Sequence, residues 1–277
     1  MGMPVRSILA FAGAVLLMSS AASCANVLGI EDTALEETGP PEGQDWRCVG
    51  NVPVPTDSQD IKIRAKVTDF NGQPFAGLTV NACAVAANPN CDTPIASAES
   101  GADGIASLDI PASVVPFTGY LRLEGDADRV PYVSYYSRPI AETLDDPIPF
   151  LSVTWGELDT AIPGATAIDG RGHLFINATD CQDVDAPGIR FDIKTGGVVD
   201  DSSVPFYQTN SGFSADATET VGGPQVGGRG GVFNLVASDP PSLVRFEAFS
   251  RDTGDITATA DWWIFPDTLT TGRLLPQ

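Results

Sequence analysis

The chain of 277 residues is poor in several groups on which protein chemistry usually depends. It has one histidine, His173, so a metal site built on two imidazoles cannot form within one copy. Five cysteines are present but no CxxC pair, which removes the commonest framework for structural zinc. Lys and Arg number 15 against 36 Asp and Glu, a formal net charge of −21. With no basic stripe, such a body is repelled by phosphate throughout the Debye length, so nucleic acid is excluded as a partner. No Gly-x-Ser-x-Gly elbow presents a nucleophilic serine. Beyond the N-terminus, no apolar run approaches the roughly 20 residues a spanning helix needs. No convincing amphipathic helix is visible. No cofactor and no metal ion are expected.

What is there begins with an address. Arg6 precedes an apolar run from Ile8 to Met18, which gives way to the small residues Ser19 to Ser23. That order predicts a secretory signal peptide over residues 1–23. Ala21-Ala22-Ser23-Cys24 resembles the bacterial lipobox, with Ala21 in place of the usual Leu. The resemblance implies that Cys24 is lipidated and becomes the mature N-terminus, which would make a membrane the partner of that end. Plain cleavage after Ser23 or Ala25 is the alternative. Because Ala25 rather than Asp follows the cysteine, the resemblance implies an outer-membrane destination.

Residues 24–58 read as a lipidated end and an acidic linker. Glu31, Asp32, Glu36, Glu37, Glu42 and Asp45 surround Gly39-Pro40-Pro41, the composition of a solvated tether. Trp46 and Cys48 are expected to dock the end of this tether onto the first domain. The remaining chain repeats itself. Thr68-Asp69 matches Thr179-Asp180, and Ala76-Gly77 matches Pro187-Gly188, in both cases 111 positions apart. Ile63, Ala65 and Val67 correspond to Leu174, Ile176 and Ala178, and period-two alternation predicts half-buried strands. Asn71-Gly72 is a turn signal between them. Two tandem all-β sandwich domains are therefore expected, at 59–158 and 164–277, with Phe150 to Leu158 as a candidate closing strand.

Val67-Thr-Asp-Phe-Asn-Gly-Gln-Pro-Phe-Ala-Gly-Leu-Thr-Val80, followed by Gly101-Ala-Asp-Gly-Ile-Ala-Ser-Leu-Asp-Ile-Pro111, resembles a carboxypeptidase regulatory-like domain. The resemblance implies a transthyretin-like, immunoglobulin-like sandwich and no peptidase activity. The second copy is similar but carries a long insertion from Thr195 to Gly230. The segment Cys24 to Asp32 is similar to the start of myxobacterial surface lipoproteins. Intradiol dioxygenases share a sandwich of this kind yet need two His and two Tyr, which one His cannot supply.

With Cys24 lipidated, four cysteines allow three connectivities. Cys83 and Cys91 flank Asn88-Pro89-Asn90, a turn that favours their pairing and leaves Cys48 with Cys181. Catalytic residues are not assigned. His173 starts a strand, where a backbone or water partner satisfies it. The pairs Asp145/Asp146, Asp200/Asp201, Asp126/Asp128 and Asp183/Asp185 read as solvated turn charge rather than a glycosidase pair or a calcium loop. Gly222 to Gly231 reads as a flexible Gly-rich loop. Aromatic residues offer the remaining candidates for ligand binding: Tyr132, Tyr135, Trp263 and Phe265. The sequence thus points to a non-enzymatic, surface-anchored binding or structural module with a protein or polysaccharide ligand. The alternatives are a carbohydrate-binding module, possibly calcium-assisted, and a hydrolase using His173 or an Asp pair.

Overall fold

The computed structural model describes residues 45–51, 59–85, 89–195, 199–220, 227–251 and 253–276. The expected signal segment, Cys24 and most of the acidic linker lie outside the described residues. The architecture is all-β, as the alternation predicts, with stacked sheets. The first half contains β1 (Ile61–Thr68), β2 (Thr79–Ala84), β3 (Ala96–Glu99), β4 (Ile105–Ile110), β5 (Gly119–Leu123), β6 (Tyr132–Tyr136) and β7 (Ile148–Leu151). The second contains β8 (Arg171–Ala178), β9 (Ile189–Thr195), β10 (Val204–Thr209), β11 (Gly212–Ser214), β12 (Gly228–Val236), β13 (Ser242–Ser250), β14 (Ile256–Ile264) and β15 (Thr268–Leu274).

The 111-residue repeat is visible in the strand pairing. β1 pairs antiparallel with β4 and parallel with β7, and β8 pairs antiparallel with β12 and parallel with β15. Likewise β5 lies between β2 and β6, and β13 between β9 and β14. The insertion after Thr195 supplies the hairpin β10–β11, which extends the sheet beyond β12.

The strands on either side of residues 145–164 meet in one sheet. β15 runs parallel to both β6 and β8, with Leu269 opposite Tyr132 on one side and His173 on the other. A nine-stranded sheet in the order β11-β10-β12-β8-β15-β6-β5-β2-β3 results. The three-stranded sheets β4-β1-β7 and β14-β13-β9 pack against its two faces. One core joins Ile63, Leu108 and Phe150 to Leu121, Leu123, Phe175 and Phe233. The other joins Phe246, Trp262 and Ile264 to Leu174, Ile176, Tyr120 and Tyr135. Successive side chains of a strand point to opposite faces. Tyr120 and Leu121 therefore belong to different cores, and β6 and β8 are buried on both sides.

Two readings need correction. Phe150 to Leu158 is not one strand: β7 ends at Leu151, and a helix, α1 (Trp155–Ala161), follows. Its start is a capping box, with the Glu157 N–H donating to Thr154 Oγ1 at 3.3 Å and the Thr154 N–H donating to Glu157 Oε2 at 2.8 Å. Both bonds satisfy N–H groups that the first helical turn leaves unpaired. The end of the tether docks on the second half, not the first. Cys48 is bonded to Cys181, the Cys181 N–H donates to the Asp45 carbonyl at 2.8 Å, and Trp46 packs against the core under β14. Cys83 pairs with Cys91, so both expected disulfides are present.

Candidate functional site

The small sheet β4-β1-β7 covers only part of its face of the large sheet. Past β7, a cavity of about 300 Å³ opens over β6, β15, β8 and β12, walled by Ile148 and Pro149. Strand register builds its floor. Tyr136 lies opposite Arg273, Arg273 opposite Asn177, and Asn177 opposite Arg229, so one row of four polar side chains crosses four strands. Two residues earlier along β6, β15 and β8, Ser134, Thr271 and Phe175 form a second row. One step further, Tyr132 closes the floor, and its row neighbours Leu269 and His173 are already buried beyond the cavity.

The polar row is held from the loop after β8. Asn177 Nδ2 donates to Asp185 Oδ1 at 3.0 Å, and Arg229 Nη2 donates to Asp185 Oδ2 at 3.3 Å. Arg273 Nη2 pairs with Asp183 Oδ1 at 2.8 Å and donates to the Asp183 carbonyl at 3.2 Å. Three polar atoms in the row are buried without a hydrogen-bond partner among the described residues: Arg229 Nη1, Arg273 Nε and Asn177 Oδ1. Native proteins leave few such atoms unpaired, because each forfeits its hydration. Burial pulls the Arg229 guanidinium below its usual range, with Asp185 opposing and Arg273 adding to the effect. The Tyr132 hydroxyl, which accepts from Thr271 Oγ1 at 2.9 Å, is pushed up to about 12 by burial and so is neutral.

Glycine makes this packing possible. A Cβ on Gly227 would stand 2.0 Å from Asp185 Oδ2, and one on Gly228 2.3 Å from the Ala178 carbonyl. Residues 227–231 of the Gly-rich run are thus the tightly packed start of β12 and not a flexible loop; residues 221–226 lie outside the described residues. Arg229 sits inside that run, where the expectation of a loop hid it. The sequence shows Asp185 only as turn charge and does not bring Arg229, Asn177 and Arg273 together: Asn177 meets Arg229 through the β8–β12 pairing, and Arg273 joins them because β15 enters between β6 and β8. The available signal was a cation in an otherwise apolar strand of a chain with few cations.

The sequence-predicted residues scatter. Tyr132 closes the cavity floor. Tyr135 is 1% exposed and stacks on Trp262 at 5.5 Å, and its hydroxyl donates to the Trp263 carbonyl at 3.2 Å. Trp263 is half-buried and donates from Nε1 to the Val85 carbonyl at 3.4 Å. Phe265 is buried, packs on Tyr120 at 5.9 Å and lies under the Arg122 guanidinium. Trp263 and Phe265 therefore join the two halves instead of forming a stacking platform. His173 is fully buried against Phe233, its Nδ1 accepting from the Asn234 N–H at 3.4 Å, and burial lowers its pKa to about 4. Three of the four Asp pairs have a member engaged at turns, Asp200 with Arg171, Asp126 with Arg129, Asp183 with Arg273 and Asp185 with Arg229, while Asp145 and Asp146 lie at the rim of a separate cavity beside Arg138. Among the described residues no group of three His, Cys, Asp or Glu side chains is placed to hold a metal ion.

No family model matches the chain, and no curated protein does. Among solved structures, the chain is similar to the Bacillus anthracis TIE protein at 10% identity and a TM-score of 0.23, over 79% of this chain and 34% of that one. The chain thus spans about a third of the length of that protein.

Proposed function

We propose that this protein is a non-enzymatic binding module of the bacterial envelope, exported, lipidated at Cys24 and set off the outer membrane by the acidic linker. The observation that carries the binding role is the row Tyr136–Arg273–Asn177–Arg229, a rigid set of hydrogen-bonding groups at the floor of a cavity. Such a row suits recognition better than catalysis. Guanidinium and amide groups neither attack nor shuttle protons near neutral pH, and the Asp185 carboxylate is committed to Asn177 and Arg229. The cavity volume is at the lower end of the roughly 300–1,000 Å³ usual for small-ligand sites. Export is supported by the signal-like N-terminus and by two disulfides, which persist in oxidising compartments.

The anchoring half of the proposal is tested by fractionation and fatty-acid labelling of the wild type and Cys24→Ala. Label on the wild type, its loss in Cys24→Ala and release of that variant from membranes are expected. Wild-type protein without label would sink the anchor.

A further inference from the structure

We propose that the cavity over β6, β15, β8 and β12 holds a neutral sugar, one hexose-sized ring. This inference rests on the reading of the protein as a binding module and supplies its ligand class.

Charge balance decides between a sugar and an anion. Arg229 and Arg273 would by themselves attract a carboxylate or phosphate. Each is already ion-paired, with Asp185 and Asp183 respectively. The row is thus close to neutral, and an added anion would leave uncompensated negative charge beside a buried guanidinium, in a chain of net charge −21. Around the two guanidinium groups the lining mixes donors and acceptors, with the Asn177 amide and the hydroxyls of Ser134, Thr271 and Tyr136. A carboxylate or phosphate dianion only accepts and would use the donors alone. A hydroxyl both accepts and donates, so the hydroxyls of a sugar ring suit a lining of this mixed kind.

The rest of the cavity fits a ring of that kind. Phe175, Tyr136, Ile148 and Pro149 provide apolar surface for the C–H faces of a pyranose, beside the polar row. Its volume of about 300 Å³ suits one unit, not an extended chain lying flat. Asp185 fixes Asn177 and Arg229 before any ligand arrives, which lowers the ordering cost of binding.

The test titrates the full chain with the methyl glycosides of glucose, galactose and mannose, with glucuronate, and with inorganic phosphate, by ligand-observed NMR and calorimetry. At least one neutral glycoside is expected to bind at millimolar concentration or tighter. Arg229→Met, which removes one of the two guanidinium groups in the lining, should weaken it at least tenfold. Ser134→Leu, which fills the cavity floor without touching the ion pairs, should do the same while retaining the near-UV signal of the packed tyrosines. Binding of glucuronate or phosphate with none of the neutral glycosides would replace the sugar site by an anion site. Silence from all probes would overturn the inference, as would glycoside binding that survives Ser134→Leu. Cys24→Ala leaves the cavity intact, so failure of the anchor and failure of the sugar site are separate results.

Discussion

Acidification should destabilise this protein through one side chain. His173 is fully buried, and desolvation lowers its pKa from 6.5 to about 4, against the opposing charges of Asp267 and Asp159. The folded state therefore binds its proton later than the unfolded state does. Stability is present above the unfolded pKa and is lost as the pH falls from 6.5 towards 4. At about 1.4 kcal/mol per pKa unit, the gap is worth about 3 kcal/mol once both states are protonated, and the loss from pH 7 to pH 5 is about 2 kcal/mol. That is a large share of the roughly 5–15 kcal/mol typical of a domain. Carboxylates contribute little in this window: Asp200, pulled to about 2 by hydrogen bonds from Ser202 and Arg171, stays ionised across it. The assay is urea unfolding at pH 7 and pH 5 for the wild type and His173→Gln. The variant should lose about 2 kcal/mol less on acidification, whatever its absolute stability. Because His173 is the only histidine, its imidazole resonances report the folded-state pKa directly. An imidazole titrating near 6.5 in the folded protein, or equal pH dependence in both chains, would refute the reasoning.

The two disulfides should differ in worth. Cys48–Cys181 closes a separation of 133 residues and Cys83–Cys91 one of 8, which by chain entropy correspond to about 5 and about 2.5 kcal/mol. Replacing both members of a pair by Ser should shift the urea midpoint roughly twice as far for the long-range bridge. A Cβ on Gly272 would lie 2.2 Å from Trp262 Cη2. Gly272→Ala is therefore expected to cost about 1–3 kcal/mol by overpacking, seen as a lower thermal midpoint with altered tryptophan fluorescence.

How much was legible depended on whether a strand had one buried face or two. β1 and β4 show the alternation of a half-buried strand, with Ile61, Ile63, Ala65 and Val67 inward and charged or polar residues between, and their periodicity is plain. β6 and β8 are buried on both faces, because the two small sheets lie on opposite sides of the large one, so their sequences lose the period. Helix α1 had a readable start in Thr154-Trp-Gly-Glu157, overshadowed by the β character of the preceding Phe150-Leu-Ser-Val153. Residue chemistry alone marks Tyr135 and Trp263 as ligand contacts, and chemistry says nothing of what they pack against. Trp263 and Tyr135 bond to each other's groups across the two halves, a contact between residues 128 positions apart. Arg229 and Arg273 carry only a weak local signal, a cation within an otherwise apolar strand, and Asn177 carries none.

By itself, the sequence determined the all-β class and the repeat of pairing order, and its Asn88-Pro89-Asn90 turn favoured the Cys83–Cys91 bridge. Each follows from local pattern, which survives any arrangement of the parts. Only the tertiary structure decided that β15 enters between β6 and β8. That single placement fuses the halves into one sheet, buries Tyr135 and Trp263 between them, and aligns Tyr136, Arg273, Asn177 and Arg229 in one row. Register between strands far apart in the chain is set by the packing of whole faces, and no stretch of sequence contains it.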